Sequence, residues 1–247
     1  MYEIYFDTID STNTYAKQHV DEFPKDRITC IVADQQTAGY GRFQTQWISP
    51  AGVNLYTTFH LRLPSNTKSL TCLAQVLAAS LVQVLGKAQL HPKIKWPNDL
   101  LLNGKKFAGV LCETGFKGSW VDLFLGIGVN VNMDAQDVKE INTSSIAATS
   151  LKVETNRVWD RKRLLQQLQE QLICDLEVFI DQGFAPFRDL LDTILAYKGK
   201  TVRCFDSKRE WIGICHSLAA DGRLNLLLPD QTMHAVLSGD IHLREYL

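Results

Sequence analysis

Apolar and polar positions alternate through residues 53–63, where Leu55, Thr57, Phe59 and Leu61 share one face, and that period predicts a strand. Shorter apolar runs predict strands at 2–6, 28–33 and 94–96. Residues 100–102 and 107–112 flank Asn103-Gly104, a dipeptide that tolerates the positive φ of a tight hairpin. Residues 120–132 alternate and then run through Gly126-Ile127-Gly128, so they predict a strand whose backbone something approaches closely.

The period shifts to that of a helix over 70–85, where Ala74, Ala78, Ala79 and Ser80 permit close packing. It does so again over 158–180, where Leu164, Leu165, Leu168, Leu172, Leu176 and Phe179 form a broad stripe that Gly183 ends. Further helices are predicted at 14–19, after the cap-forming run Asp10-Ser11-Thr12-Asn13, at 187–197, and as a short turn after Thr143-Ser144. Beyond Gly199 the texture changes to short strands at 201–205, 211–217, 224–228 and 234–237, with turns at Lys208-Arg209 and Asp221-Gly222. So many short strands in so few residues suggest a small barrel. The expected class is α+β: a mixed, largely antiparallel central sheet packed with helices in residues 1–198, then a small β-barrel domain in 199–247.

Composition narrows the function. Lys plus Arg number 26 against 27 Asp plus Glu, so bulk charge gives no hold on nucleic acid. The six cysteines form no C-x-x-C pair and predict buried free thiols in a reducing, cytoplasmic setting. Acidic Glu3 and Asp7 stand where a signal peptide would be basic and apolar. Gln75 and Gln83 interrupt the most apolar stretch, which argues against a membrane span.

Three segments could carry chemistry. Ser11-Thr12-Asn13 alone reads as a helix cap. The glycine-bearing run Gln36-Thr37-Ala38-Gly39-Tyr40-Gly41-Arg42 follows a strand and could turn backbone N–H groups toward an anion, or could be a surface loop. Lys95-Trp96-Pro97-Asn98-Asp99 is followed across the hairpin by Lys105-Lys106, and adjacent strand residues point to opposite faces, so one lysine turns inward. The six histidines are scattered without ligand spacing, and Cys112 reads as core rather than nucleophile.

Taken in order, these segments resemble the catalytic core of the biotin protein ligases. Ser11-Thr12-Asn13, the Gln36–Arg42 run with Trp47 beyond it, Lys95-Trp96-Pro97-Asn98-Asp99, Lys106-Phe107-Ala108-Gly109 and Gly126-Ile127-Gly128-Val129-Asn130 each look like a family motif. The residues after Gly199 are similar to the family's SH3-like terminal domain.

The resemblance implies an ATP-dependent ligase that forms biotinyl-5'-AMP and biotinylates one lysine of a biotin carboxyl carrier protein, that of acetyl-CoA carboxylase or a similar carboxylase. Biotin, ATP and Mg2+ are the implied ligands. Ser11 and Gln36, with the backbone of Gly39, Tyr40, Gly41 and Arg42, would bind the ureido ring, and Thr12 and Asn13 would support it. Trp47, Gly109 and Gly126 would line the tail, and Gly128 would belong to the ligand site. Arg42 and Lys106 would hold the acyl phosphate, and Asn98 and Asn130 would face the nucleotide. Asp99 is left among magnesium, phosphate geometry and the incoming lysine. The resemblance further implies the form without an N-terminal DNA-binding domain, and allows a homodimer through the central sheet. A lipoate or octanoate ligase or transferase and a non-catalytic biotin-binding regulator are the alternatives. Tyr40 stands where arginine is usual in the family, and Gln44 and Thr45 depart from its glycine and arginine.

Overall fold

The computed structural model describes residues 1–141, 146–205 and 209–236, and the backbone of 244–245. The chain opens with β1 (Tyr2–Ile9), α1 (Thr12–Gln18) and β2 (Thr29–Gln36), and β2 lies parallel to β1 as a helical crossover permits. Every other neighbouring pair in the main sheet is antiparallel: β3 (Leu55–Pro64), β4 (Lys93–Lys95), β5 (Asp99–Leu102), β6 (Lys105–Lys117) and β7 (Trp120–Val129) complete the order β1-β2-β3-β7-β6-β5-β4. The predicted hairpin turn is present, with Asn103 at φ 49° and Gly104 at φ 77°.

Side-chain alternation divides this sheet into two unlike faces. Cys30, Val32, Leu123 and Leu125 join the main core, while Ile31 and Phe124 turn to a small cluster with Ala16 of α1 and Phe23. The main core is built around α2 (Leu73–Lys87), in which 11 of 15 residues are buried. Residues Leu70–Lys87 are apolar and long enough to cross a membrane by composition, and here they pack inside the protein. α3 (Ala135–Glu140) and α4 (Leu151–Thr155) follow, then α5 (Arg161–Gln182) and α6 (Ala185–Thr193). α5 lays Leu164, Leu168, Leu172 and Leu176 into the core, and its buried Asp175 accepts from Ser80 of α2 at 2.7 Å. The predicted turn of helix after Thr143-Ser144 begins in 142–145, outside the described residues.

Among the described residues the expected barrel is not formed. β8 (Thr201–Phe205), β9 (Glu210–Leu218), β10 (Leu224–Leu227), β11 (Met233–Val236) and β12 (Arg244–Glu245) make an open antiparallel sheet in the order β11-β10-β9-β8-β12. Among the described residues, β11 and β12 are its two edges and do not pair with each other. The physical reason is that the inner face does not have to enclose itself. Val202, Cys204, Cys215, Leu224, Leu226 and Val236 belong to the same core as α2. The Asp221-Gly222 turn docks there too: the Gly222 carbonyl accepts from Trp96 Nε1 at 2.6 Å and from Gln75 Nε2 at 2.8 Å. Part of the Lys208-Arg209 turn and Leu237 lie outside the described residues.

All six cysteines are free thiols. Four are buried as expected, but Cys174 is exposed on α5 and Cys112 is half-buried. Burial pushes the Cys112 thiol up to about 12, in keeping with a packing role.

Candidate functional site

The α1 face of the main sheet carries large side chains at one end and glycines at the other. Gly126 and Gly128 of β7 and Gly109 of β6 leave the backbone bare, and a cleft of about 640 Å³ opens over them. That volume suits a small-molecule ligand.

One end of the cleft is built on the start of α1. Ser11 is its N-cap, in extended conformation, accepting from the Thr14 N–H at 3.4 Å. Gln36, at the end of β2, accepts from the N–H and hydroxyl of Thr12 at 2.9 and 3.1 Å and donates to Ser49. Thr58 of β3 donates between Thr12 and Asn13. The cap reading and the binding-site reading thus describe the same residues: the capping network is what brings Ser11, Thr12 and Asn13 to the cleft wall.

The roof is a tight hairpin over residues 39–47. Trp47 N–H donates to the Gly39 carbonyl, Gly41 N–H donates to the Thr45 carbonyl, and Tyr40 bridges Gln46. Phe43 and Gln44 turn the tip with φ 56° and 57°. Trp47 folds back over the glycines: a Cβ on Gly128 would lie 2.5 Å from its Nε1, and one on Gly109 would lie 3.2 Å from its Cζ3.

At the other end, Asp99 begins β5 opposite Gly109, and its Oδ1 is 2.7 Å from Lys106 Nζ. The Lys106 ammonium also stands 5.2 Å from the Trp47 ring centre. Lys105 points away to Glu154. Asn98 donates to the Val110 carbonyl, and Asn130 donates to the Thr149 carbonyl. Two buried groups of the wall, Asn130 Oδ1 and Trp47 Nε1, have no hydrogen-bond partner among the described residues.

Of the residues singled out by sequence, Ser11, Thr12, Asn13, Gln36, Tyr40, Gly41, Arg42, Trp47, Asn98, Asp99, Lys106, Gly109, Gly126, Gly128 and Asn130 all line this cleft. Gly39 does not. It packs behind the roof, where a Cβ would lie 2.8 Å from Gln36, Ser49 and Trp47 atoms. Gly126 differs from expectation in what it faces: a Cβ there would meet the Asn13 side chain at 2.3 Å.

Sequence reasoning missed Glu113 and Lys17. Glu113 Oε2 accepts from Asn13 Nδ2 at 3.0 Å and from the Tyr40 hydroxyl at 2.9 Å, and Oε1 accepts from Lys17 Nζ at 2.8 Å. Burial pushes the Glu113 carboxyl up, but hydrogen bonds from Lys17, Asn13 and Tyr40 outweigh it and hold the group below the usual carboxylate range. Two spacings carried the signal. Gly109, Leu111 and Glu113 fall on one strand face, and Asn13 and Lys17 are four apart on a helix.

Comparison with known proteins agrees with this geometry. Residues 5–130 match the model of the biotin/lipoate A/B protein ligase family. The chain is 32% identical over 238 residues to the bifunctional ligase/repressor BirA of Escherichia coli, covering 96% of this chain and 72% of that protein. It is 32% identical over 203 residues to the biotin–[acetyl-CoA-carboxylase] ligase of Paracoccus denitrificans, covering 81% of this chain and 84% of that one. The biotin protein ligase of Aquifex aeolicus, solved in complex with biotin and ATP, superposes with a TM-score of 0.83 at 28% identity, over 99% of both chains. With half the chain matching the family model and relatives aligned over most of their length, the chain belongs to the biotin/lipoate A/B protein ligase family, among its biotin protein ligases.

Proposed function

We propose that this chain is an ATP-dependent ligase that activates biotin and transfers it to a lysine of a biotin carboxyl carrier domain. A carboxylate oxygen of biotin attacks the α-phosphorus of ATP, and pyrophosphate leaves with the electron pair of the broken P–O bond. The neutral lysine amine then attacks the acyl carbon, the bond from that carbon to the phosphate oxygen breaks, AMP leaves with its electron pair, and the amine gives up a proton to solvent. The observation that carries the reading is the joining of five sequence-distant motif segments around one cleft, with polar cap residues at one end and Lys106 and Asp99 at the other.

Ser11, Gln36 and the hairpin backbone are assigned to the ureido ring. Trp47 and the bare glycine backbone are assigned to the tail. Arg42 and Lys106 are assigned to the acyl phosphate, where fixed cations in a water-poor site offset developing charge. Asn98 and Asn130 take the nucleotide side, and the unpartnered Asn130 Oδ1 supports that choice. No proton transfer is asked of Lys106; positioning two anions is its work. Magnesium, when bound with ATP, supplies charge neutralisation on the phosphates. Among the described residues no three His, Cys, Asp or Glu side chains gather, and Asp99 is the carboxylate of this cleft. That donor set fits an ion carried chiefly by phosphate and water.

The reading extends to a catalytic part in residues 1–198 and a terminal part in 199–247, to action in the cytoplasm, and to pairing of two copies through the main sheet, where β1 is an edge strand. The test is pyrophosphate release by the purified protein with ATP, magnesium and either biotin or lipoate. Biotin-dependent release is expected. Release with lipoate alone, or none with either, overturns the assignment.

A further inference from the structure

The geometry points to Glu113 as a positioning residue that serves two walls of the cleft at once: it fixes the Asn13 amide and, through Tyr40 and Lys17, latches the 39–47 hairpin. The inference rests on the reading of this cleft as the biotin and ATP site.

Three elements meet on this one carboxylate. β6 supplies Glu113, α1 supplies Asn13 and Lys17 from a single helix face, and the hairpin supplies Tyr40. Lys17 Nζ also donates to the Tyr40 hydroxyl at 3.0 Å and stands 5.6 Å from its ring centre. The arrangement is directional. A carboxylate only accepts, so Asn13 must present its NH2 to Glu113 and its carbonyl oxygen to Thr58. That carbonyl is the atom pressed over Gly126 in the cleft floor. Tyr40 closes the circuit because its hydroxyl accepts from Lys17 while donating to Glu113.

Lys17 and Glu113 do not line the cleft, so neither is assigned to touch ligand. Their effect passes through Asn13 and Tyr40, which do line it. All the partners are protein groups, so the latch needs no phosphate to close it. The Trp47 ring on the glycines and the strand that leads into it hold the hairpin to the body as well. Opening the roof therefore means breaking charge-assisted hydrogen bonds at a partly buried site, which are stronger than neutral ones.

The latch is tested with Glu113→Gln and Lys17→Met in the full-length protein. The first readout is tryptic cleavage after Arg42 at the hairpin tip, followed without ligand. The second is KM for biotin and kcat in pyrophosphate release. Glu113→Gln should speed cleavage and raise the biotin KM roughly tenfold, with kcat changed less than about threefold, and Lys17→Met should do the same more weakly. In the Glu113→Gln background, Tyr40→Phe should add little further to cleavage, because the two act as one unit. A merely structural role would lower thermal stability without this split between KM and kcat. If Glu113→Gln fails to fold, Lys17→Met carries the test. Cleavage and KM unchanged in the folded variants overturn the latch. A wild-type protein inactive on biotin overturns the reading of the site instead, while the cleavage comparison still decides the latch.

Discussion

Lys106 and Gly109 lie three residues apart on one strand and yet share a face: a Cβ on Gly109 would stand 3.3 Å from Lys106 Cε. Strict alternation would put Lys105 and Phe107 on the face of Gly109 and turn Lys106 away. A bulge reverses this. Ala108 pairs with Leu100 and Lys106 pairs with Leu101, so Phe107 is the extra residue, and its ring is fully buried in the main core. The bulge thus does two things with one inserted residue, anchoring β6 in the core and aiming Lys106 into the cleft.

The Lys106 ammonium should therefore be needed for activation. Lys106→Ala is expected to slow adenylate formation by roughly a hundredfold, the scale of losing one preorganised charge contact. Lys105→Ala removes an ion pair with Glu154 that lies outside the cleft and should change the rate less than about twofold. Single-turnover pyrophosphate release on both variants is the measurement. Equal losses would dissolve the distinction that the bulge creates.

Gly128 and Gly109 should respond unequally to a methyl group. At Gly128 the new Cβ would lie 2.5 Å from the Trp47 indole and must displace it. At Gly109 the nearest atoms are at 3.2 and 3.3 Å, which small shifts can relieve. Gly128→Ala should weaken biotin binding by roughly tenfold or more, and Gly109→Ala by much less. Calorimetric titration with biotin ranks the two, and the reverse order would show that Trp47 does not rest on Gly128.

Gly126 makes a different claim. A Cβ there runs into Asn13, which is buried and tied to Thr58 and Glu113, so it cannot simply swing aside. Gly126→Ala should weaken biotin binding through Asn13 and not through direct ligand contact. Adding Asn13→Ala should then cost less than it does in the wild type, because the contact it relieves is already lost. Additive losses in a double-mutant cycle would place the ligand, not Asn13, against Gly126.

Much of this was legible along the chain. Asn103-Gly104 announced its hairpin, Ser11 its helix start, and the glycines at 126 and 128 a bare floor. The hidden parts depend on partners far away in sequence. Nothing near Phe107 marks a bulge, since its core socket comes from other elements. Short strands after Gly199 look the same whether a sheet closes on itself or leans on α2, and only the docked Gly222 turn distinguishes the two. Nothing in the 36–42 run marks a hairpin rather than a loop, because the bonds that make one run between its own backbone groups, and Glu113, which holds Tyr40, lies 73 residues beyond it. The barrel expectation failed for want of that long-range information, whereas the cleft residues emerged because motif residues cluster by chemistry.

A last prediction concerns acid stability, away from the cleft. Asp122 and His60 are both buried, and Asp122 accepts from His60 Nε2 at 2.9 Å and from Arg62 Nε and Nη2 at 2.8 and 2.9 Å. Burial opposes charge on Asp122, but Arg62 and His60 outweigh it and hold the carboxyl below its ordinary range. Burial likewise lowers His60, with Arg62 adding to it, and the pull of Asp122 does not reverse the shift. Phe23 and Phe124 pack beside the imidazole, and its Nδ1 has no partner among the described residues. Both groups thus have folded-state values below their unfolded ones, so both contributions are complete at neutral pH and are lost as pH falls. The His60 share begins to go below about pH 6.5, and the Asp122 share below about pH 4. Urea unfolding should show stability falling between neutral pH and about pH 5, and His60→Gln should flatten that slope. Asp122→Asn should cost about 2 kcal/mol at neutral pH, since it takes from Arg62 the carboxylate that it hydrogen-bonds. A His60→Gln protein with the wild-type slope would move the acid sensitivity to another group.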